Sequence, residues 1–284
     1  MVVFLNGEMV REEAAVVSVF DRAFLYGDGL YETLRVLHGQ PFRWEQHLER
    51  LESGARFLQI ALPFSRRQLR QAASELISGN QVPDALLRMT LSRGVGIRGY
   101  SPKGAERPVM VMSVHPGPRL ELQAPTRWRL ITASIRLPAD DPLARFKTCN
   151  KLPQVLARAQ ADAADAEEAL LLNTNGHAAE AASSNLFWLR GGTVCTPPLA
   201  SGVLPGVTRA AVFELCPQLK LAVAEQNITP GELLAMEGVF LALSSFGVVE
   251  AISLDDKALG QSALVSRIKR AYDGLLERET RAGV

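Results

Sequence analysis

The segment Phe146-Lys147-Thr148-Cys149-Asn150-Lys151-Leu152 places an amine just before a predicted helix. An alanine-rich helical pattern over 155–164 and a strand over 168–172 follow it. They lead to Ala179-Glu180-Ala181-Ala182-Ser183-Ser184-Asn185-Leu186-Phe187, which sets one carboxylate beside small hydroxyl residues at the mouth of a strand. Strands and helices follow one another in this way along the chain.

A lysine and a glutamate brought together in this way suit a site for pyridoxal 5′-phosphate (PLP). The lysine forms the Schiff base, and the acid keeps the pyridine nitrogen protonated. Four other lysines are expected to be exposed, where the amine stays protonated and is a poor nucleophile; they are Lys103, Lys220, Lys257 and Lys269. Lys147 follows an apolar residue at a predicted domain junction, and Lys151 lies one helical turn further on. These observations leave the choice between Lys147 and Lys151 open.

The bulk composition predicts a globular protein of two domains. The chain has 284 residues, of which 47% are hydrophobic and 21% are charged. The net charge is +1 and no basic stripe is present, which argues against a nucleic-acid groove. Small anionic ligands remain compatible with this balance, because they need only local cations.

The cysteines and the N-terminal residues indicate the cellular compartment to expect. Cys149, Cys195 and Cys216 have no CxxC spacing, so they predict neither a disulfide framework nor a zinc site. Free thiols favour a reduced compartment, and the cytoplasm is the expected one. Residues 1–7 predict a strand and a turn rather than a signal peptide, and no apolar run is long enough to span a bilayer.

The N-terminal half predicts strands over 2–5, 16–20, 86–92 and 109–114, with another after the loop Gly27-Asp28-Gly29. Tyr31 lies on that last strand, where a pocket-facing position and an ordinary sheet face are equally good interpretations. Trp44–Phe57 has the spacing of an amphipathic helix, and on this pattern alone His47 and Arg50 are expected to be solvated.

Three further segments carry predictions. Ser65 is expected to cap a second helix. The glycine-rich loop 93–100 carries Arg93 and Arg98; such loops usually only turn the chain, but their arginines can also close over an anionic substrate. The stretch 204–213 brings backbone amides and the Thr208 hydroxyl to a helix N terminus, which suits a phosphate, with simple capping by Thr208 as the alternative.

The pattern breaks at His115-Pro116-Gly117-Pro118. We therefore predict a small N-terminal α/β domain over 1–117, a linker over 118–126 and a larger C-terminal, cofactor-binding domain over 127–284.

Five motifs in order resemble the class IV aminotransferases, the fold-type IV PLP enzymes that include branched-chain aminotransferases, D-amino-acid transaminases and aminodeoxychorismate lyases. The motifs are Tyr26-Gly27-Asp28-Gly29-Leu30-Tyr31-Glu32, His47-Leu48-Glu49-Arg50-Leu51, Phe146-Lys147 with Asn150, Glu180 with Ser183-Ser184-Asn185-Leu186-Phe187, and Leu204-Pro205-Gly206-Val207-Thr208-Arg209. Each is weakly specific alone, but together they span nearly the whole chain. The resemblance implies an α/β (α+β) fold and a homodimer of two-domain subunits, with PLP between the domains.

The resemblance also implies roles for individual residues. Lys147 would be the Schiff-base lysine and proton shuttle, and Glu180 would pair with the pyridinium nitrogen. Leu204 would pack on the cofactor ring. The other implied cofactor contacts, mainly to the phosphate, are Arg50, Ser184, Val207, Thr208 and Ser244. This resemblance changes the expectation for Arg50 from a solvated surface residue to a ligand.

Within the family, two segments favour the lyases. Lys151 stands where branched-chain enzymes usually carry a tyrosine, and the loop 92–101 is very similar to the lyase loop, apart from Ile97 in place of a usual glycine. In contrast, Tyr31 and Arg98 fall where D-amino-acid transaminases hold the substrate α-carboxylate, with Tyr100 in place of their histidine. We predict that Tyr31, Arg98 and Tyr100 bind substrate.

Three functional hypotheses follow. The first is a PLP-dependent aminodeoxychorismate lyase that converts 4-amino-4-deoxychorismate to 4-aminobenzoate and pyruvate. The second is a transaminase of D-amino acids or branched-chain amino acids with a 2-keto acid acceptor. The third is a binding or scaffold protein with this fold, against which the lysine and the glutamate argue. The expected partners are a small-molecule substrate and a second copy of the chain, with no metal, nucleic acid or membrane.

Overall fold

The computed structural model describes residues 1–118 and 126–281. These residues form two compact units, each with its own sheet and its own core. As far as they are described, the ranges of the first unit are Met1–Pro118, Phe146–Asn150 and Leu276–Val284, and those of the second are Arg119–Arg145 and Lys151–Leu275.

The predicted domain limits differ from these units at two places. Phe146–Asn150, which carries Lys147, groups with the first unit although it falls within the predicted domain 127–284. The end of the last helix, from Leu276, groups with the first unit as well. Most of the predicted linker 118–126 lies outside the described residues, and the division into domains stays a prediction.

The first unit is one antiparallel sheet with helices packed on it. Its strands are β1 (Val2–Leu5), β2 (Glu8–Arg11), β3 (Gly29–Leu37), β4 (Gln40–Pro41), β5 (Ala85–Ser92) and β6 (Val109–Pro116), and its helices are α1 (Arg22–Tyr26), α2 (Trp44–Leu58) and α3 (Arg66–Gly79). The strand order is β2-β1-β6-β5-β3-β4.

The two long helices of this unit form as predicted. Leu48, Leu51 and Ala55 lie at helical spacing on α2 and are buried, because this side of the helix packs against β3. Ser65 caps α3 in a capping box with Gln68. Burial of each leucine side chain contributes about 1.5–3 kcal/mol, so these apolar faces hold the helices on the sheet.

The predicted strand over 16–20 is wrong. This segment is irregular or in a turn, and Val16, Val19 and Phe20 are exposed. Its alternating apolar side chains match a strand pattern. A strand also needs a neighbour for its backbone hydrogen bonds, and the described residues provide none for this segment.

The second unit has a larger, mixed sheet. Its strands are β7 (Arg127–Leu137), β8 (Glu168–Asn173), β9 (Ala178–Ala181), β10 (Asn185–Arg190), β11 (Thr193–Thr196), β12 (Val223–Glu225), β13 (Gly238–Leu243), β14 (Gly247–Leu254) and β15 (Lys257–Ala258). Its helices are α4 (Leu152–Ala163), α5 (Val207–Gln218), α6 (Pro230–Leu233) and α7 (Ala263–Arg281), of which α7 continues beyond this unit.

Six of these strands close a ring of pairings. The ring runs β10-β13-β14-β7-β8-β9 and returns to β10, because β9 pairs with β8 on one side and with β10 on the other. Every residue of β8 and of β13 is buried, as expected for strands covered on both faces. The closing pair is Glu180 with Asn185, so the ring closes at a predicted cofactor residue.

The structure agrees with the expectation for the cysteines and differs from the one for Lys269. The three cysteines are free thiols, as predicted. Lys269, which was expected to be exposed, is buried and donates a hydrogen bond of 2.7 Å to Asp273 one turn along α7. The expectation failed because α7 carries a buried ion pair on its inner side as well as charged residues on its outer face. No helix within residues 1–118 or 126–281 has both the length and the apolar character that a bilayer span requires.

Candidate active site

The main chain around Lys147 is bonded to β3 in the first unit. The backbone N–H of Tyr31 donates to the carbonyl of Lys147 at 2.9 Å, and the N–H of Cys149 donates to the carbonyl of Gly29 at 2.9 Å. Lys147 itself is half-buried. The strand that carries Tyr31 therefore also fixes the backbone of the lysine.

The amine of Lys147 lies over an aromatic ring. Its Nζ is 4.7 Å from the centroid of the Tyr31 ring, and the guanidinium carbon of Arg88 is 4.0 Å from the same centroid. Both separations are within the range of cation–π attraction. Tyr31 therefore holds two cations, one of which is the predicted nucleophile.

The sequence patterns did not identify Arg88. Arg88 is opposite Thr33 in the sheet and Thr90 is opposite Tyr31, so Arg88 is a diagonal neighbour of Tyr31 on the same face. The available signal was a single cation within a mostly apolar strand, β5. That signal becomes specific only when the register between β3 and β5 is known.

The next residue of β3, Glu32, makes an ion pair with α2. Successive strand residues point to opposite faces, so Glu32 faces the helix when Tyr31 faces away from it. The Arg50 guanidinium donates to both carboxylate oxygens, from Nε at 2.8 Å and from Nη2 at 2.7 Å. His47 Nδ1 lies 2.7 Å from the Oε2 of Glu32.

The burial of these groups sets their protonation. Burial by itself raises the pKa of Glu32, but the charge and hydrogen bonds of Arg50, with the hydrogen bond of His47, outweigh it and lower that pKa to about 2. Burial lowers the pKa of His47, against the opposing effect of Glu32, so the imidazole is neutral at pH 7. A carboxylate only accepts hydrogen bonds, so we assign the ring proton of His47 to Nδ1.

The prediction that His47 is solvated is wrong, because its side chain is 2% exposed. The helical pattern placed every polar residue on the outer face, whereas this histidine lies on the inner face and meets a carboxylate there. Arg50 is also largely buried, since 10% of its side chain is exposed. Its assignment to the cofactor phosphate stays a prediction.

In the second unit, Glu180 and Asn185 hold the main chain at Leu204. The Leu204 N–H donates to Glu180 Oε2 at 3.0 Å, and Asn185 Nδ2 donates to the Leu204 carbonyl at 2.8 Å. These two side chains come from the pair that closes the ring of strands. The position of the Glu180 carboxylate is therefore coupled to the loop that precedes α5.

The start of α5 suits an anion. Its N-cap is Gly206, and no side chain caps the helix, so the amides of Val207 and Thr208 have no partner within the helix. The helix dipole is positive at this end. The alternative of simple capping by Thr208 is wrong, because Thr208 is the second residue inside the helix.

The donors of the second unit fit the chemistry of PLP. The buried Ser184 Oγ has no hydrogen-bond partner in the described chain. A phosphate ester supplies the acceptors that the α5 amides and a serine hydroxyl require. Ser244 is half-buried in the turn between β13 and β14, and its contact with the phosphate stays a prediction.

The remaining predicted residues lie in different places. Lys151 is the N-cap residue of α4 in the second unit, whereas Lys147 groups with the first. The Arg98 side chain is exposed in the loop between β5 and β6, and Tyr100 in the same loop is 88% exposed. The substrate-binding roles of Tyr31, Arg98 and Tyr100 stay predictions.

Comparison with known proteins gives one family. The family model described as amino-transferase class IV matches residues 29–254. A protein from Methanocaldococcus jannaschii, named as a candidate branched-chain-amino-acid aminotransferase, is 31% identical over 285 residues, which cover 100% of this chain and 98% of the relative. The aminodeoxychorismate lyase of Vibrio harveyi is 35% identical over 233 residues, which cover 82% of this chain and 85% of the relative.

Solved structures divide between the same two activities. The 4-amino-4-deoxychorismate lyase from Pseudomonas aeruginosa matches with a TM-score of 0.84 and 32% identity, over 98% of this chain and 99% of that one. The branched-chain amino acid aminotransferase of Escherichia coli matches with a TM-score of 0.90 and 28% identity, over 98% of this chain and 95% of that one.

Proposed function

The chain belongs to the class IV aminotransferase family, whose members are PLP-dependent enzymes, and from this premise we propose that it is an aminodeoxychorismate lyase. The proposed reaction converts 4-amino-4-deoxychorismate to 4-aminobenzoate and pyruvate. Relatives with each activity are similarly distant from this chain, so overall identity does not separate them.

One feature supports the lyase over its relatives. The loop 92–101, whose sequence is very similar to the lyase loop, presents the side chains of Arg98 and Tyr100 to solvent. A cation beside an aromatic ring suits a cyclic substrate that carries carboxylates. The substrate of the lyase has two carboxylates and a six-membered ring.

The proposed chemistry assigns separate roles to Lys147 and Glu180. PLP, when bound, supplies an electron sink for negative charge on the carbon that bears the substrate amine. Lys147 accepts the proton from that carbon at its Nζ. Glu180 keeps a proton on the pyridine nitrogen through an ionic hydrogen bond. Loss of the proton and cleavage of the bond from the neighbouring ring carbon to the enolpyruvyl oxygen make the substrate ring aromatic. The group leaves as the enolate of pyruvate, which takes up one proton at its methylene carbon to give pyruvate, so that the proton removed from the ring is balanced.

The other proposed roles concern binding. Leu204 packs on the cofactor ring, and the phosphate is bound by residues of the α5 start and by polar side chains, namely Arg50, Ser184, Val207, Thr208 and Ser244. We propose that Arg98 pairs with one substrate carboxylate, and that Arg88 beside Tyr31 is a candidate for the other. Tyr100 offers an aromatic surface to the substrate ring.

A second candidate is a transaminase of D-amino acids or branched-chain amino acids. The observation that favours it is that Arg88 and Lys147 both lie close to the Tyr31 ring, since a cation near the nucleophile suits the α-carboxylate of an amino acid. This activity shares the first proton removal with the lyase. It differs in requiring a 2-keto acid to complete the cycle.

The proposed subunit arrangement is a homodimer. Its support in the first unit is a run of exposed apolar side chains, namely Val16, Val17, Val19, Phe20, Phe24 and Leu25. Light scattering of the purified protein should give twice the mass of the 30.9 kDa chain. A monomer at micromolar concentration contradicts this arrangement. We further propose a cytoplasmic location, supported by the free thiols, and a role in folate synthesis, supported by the proposed product.

The deciding experiment supplies PLP-loaded protein with 4-amino-4-deoxychorismate generated in situ and with no keto acid. Release of 4-aminobenzoate and pyruvate in equal amounts, lost in Lys147→Ala, is expected for the lyase. If no product forms and D-alanine or a branched-chain amino acid is consumed only with a keto acid, the lyase proposal is wrong and the transaminase is supported.

A further inference from the structure

Arg22, at the start of α1, is a buried cation that the proposed reaction does not use. Arg22 is 4% exposed. Its Nε donates to Asp28 Oδ2 at 2.8 Å, so its charge is paired. Its guanidinium also lies 5.0 Å from the centroid of the Tyr26 ring. A buried guanidinium has several further N–H donors to satisfy, and their acceptors indicate what it organises.

Those acceptors are three successive backbone carbonyls of the loop 92–101, which carries the predicted substrate residues Arg98 and Tyr100. Nη1 donates to the carbonyls of Gly99 at 2.9 Å and Ser101 at 3.1 Å, and Nη2 donates to the carbonyl of Tyr100 at 3.0 Å. The planar, fixed guanidinium therefore determines the path of the main chain at these three residues.

The side chains of the same loop do not take part in this anchoring by Arg22. Ile97 is 69% exposed, Tyr100 is 88% exposed, and Arg98 between them is exposed as well. The contacts from Arg22 use only backbone oxygens of the loop. The loop thus has an internally fixed main chain and an outward set of one cation, one aliphatic and one aromatic side chain.

We propose that Arg22 is a positioning residue for substrate recognition, which holds the main chain of 99–101 so that Arg98 and Tyr100 are presented in one fixed arrangement. A side chain on a loop with a single conformation loses less freedom when it binds a ligand than one on a mobile loop. Arg22 acts through Arg98 and touches no substrate. The link to substrate affinity rests on the proposed function of the loop, whereas the anchoring of the loop does not.

Arg93, the first residue of the loop that follows β5, provides a comparison, because none of its hydrogen bonds within the described residues reaches residues 99–101. It is also buried, and it donates to both oxygens of Asp28, at 2.7 and 3.0 Å. Its other donors reach the carbonyls of Leu58 and Gln59 at the end of α2 rather than the loop. Loss of either arginine therefore disturbs the same carboxylate, but of the two only Arg22 bonds the loop at 99–101. The Tyr26 hydroxyl also accepts there, from the Gly99 N–H at 3.2 Å.

The first measurement is hydrogen–deuterium exchange of the PLP-loaded protein, comparing Arg22→Lys with Arg93→Lys. Each variant keeps a positive charge near Asp28 and loses the planar guanidinium with its several N–H donors. We expect amide exchange in 97–101 to become at least about tenfold faster in Arg22→Lys and to change little in Arg93→Lys. Arg22→Met, which has no N–H donor for the carbonyls, is measured alongside. Equal exchange of this segment in wild type and Arg22→Met overturns the anchoring.

The second measurement is a double-mutant cycle between Arg22 and Arg98 on KM. We expect Arg22→Lys to raise KM about tenfold with a smaller change in kcat, and Arg98→Ala to raise KM much less in the Arg22→Lys background than in wild type. The Arg93→Lys background should leave the effect of Arg98→Ala unchanged. Independent, multiplicative effects of Arg22→Lys and Arg98→Ala overturn the positioning role.

The two proposals fail in different ways. A wild-type protein that releases no 4-aminobenzoate contradicts the lyase, and the cycle is then measured with the amino acid that the protein consumes. The exchange measurement needs no substrate and decides the anchoring in either case. A purely structural role for Arg22 would lower the active fraction, and with it kcat, without coupling to Arg98.

Discussion

The buried pair of Glu32 and Arg50 makes stability depend on pH in a defined window. Glu32 is 1% exposed and accepts three hydrogen bonds of 2.7–2.8 Å, two from Arg50 and one from His47. These partners lower its pKa from the ordinary 4.5 to about 2. Since each pKa unit corresponds to about 1.4 kcal/mol, ionisation of Glu32 contributes about 3 kcal/mol to the free energy of unfolding at neutral pH.

The sign follows from the lowered pKa. The unfolded chain takes up a proton at Glu32 as the pH falls through about 4.5, whereas the folded protein does so only near pH 2. The contribution is therefore complete well above pH 4.5 and decreases as the pH falls towards 2. At pH 3.5 the same two pKa values leave about 2 kcal/mol.

Glu32→Gln tests this dependence. The amide keeps the shape of the side chain but cannot accept both bonds from Arg50, and we expect a loss of about 3 kcal/mol at pH 7, consistent with the cost of breaking a buried ion pair. Urea unfolding followed by circular dichroism at pH 7 and pH 3.5 gives the two differences between wild type and variant. The difference should shrink by roughly two fifths at the lower pH.

A matched control lies on the same helix. Glu52 of α2 accepts the same bidentate pair of bonds from Arg66, at 2.7 and 2.6 Å, but this pair is exposed. Solvent screens exposed pairs, so Glu52→Gln should be much less destabilising at either pH. If Glu32→Gln costs no more than Glu52→Gln, or costs the same at pH 7 and pH 3.5, the argument from burial is wrong.

Three further predictions concern the proposed site. Lys147→Ala should abolish the borohydride-stable adduct with PLP in mass spectrometry, whereas Lys151→Ala should keep it; the reverse result assigns the nucleophile to Lys151. Glu180→Ala should lower kcat about a hundredfold or more while the protein still binds PLP, and near-normal turnover would contradict its role at the pyridine nitrogen. Arg88→Leu should raise KM about tenfold with a smaller effect on kcat, while Tyr31→Phe, which keeps the ring under the cation, should change KM less.

The helix α2 shows what the sequence could and could not predict. Its apolar spacing was enough to predict the helix and the buried positions of Leu48 and Leu51. The same pattern treats every polar residue as solvated, and it failed for His47. The partner that makes its burial possible is Glu32, 15 residues earlier on another element, and no local pattern contains that pairing.

The surroundings of Lys147 were beyond prediction for a related reason. The motif identified the lysine, but its placement depends on backbone bonds between 147–149 and 29–31, more than a hundred residues apart in the chain. Arg88 joins the site only through the register of β3 and β5. Motifs therefore located the residues, and non-local pairing determined their neighbours.

Side chains alternate between the two faces of β3, which explains why the adjacent residues Tyr31 and Glu32 have different contacts. Tyr31 faces Lys147 and Arg88 on one side of the strand, and Glu32 faces Arg50 and His47 on the other. A shift of the strand by one residue would exchange these faces and move Tyr31 away from Arg88. The register of β3 against β5 therefore determines which cations lie beside Tyr31 and leaves Glu32 on the face that meets Arg50 and His47.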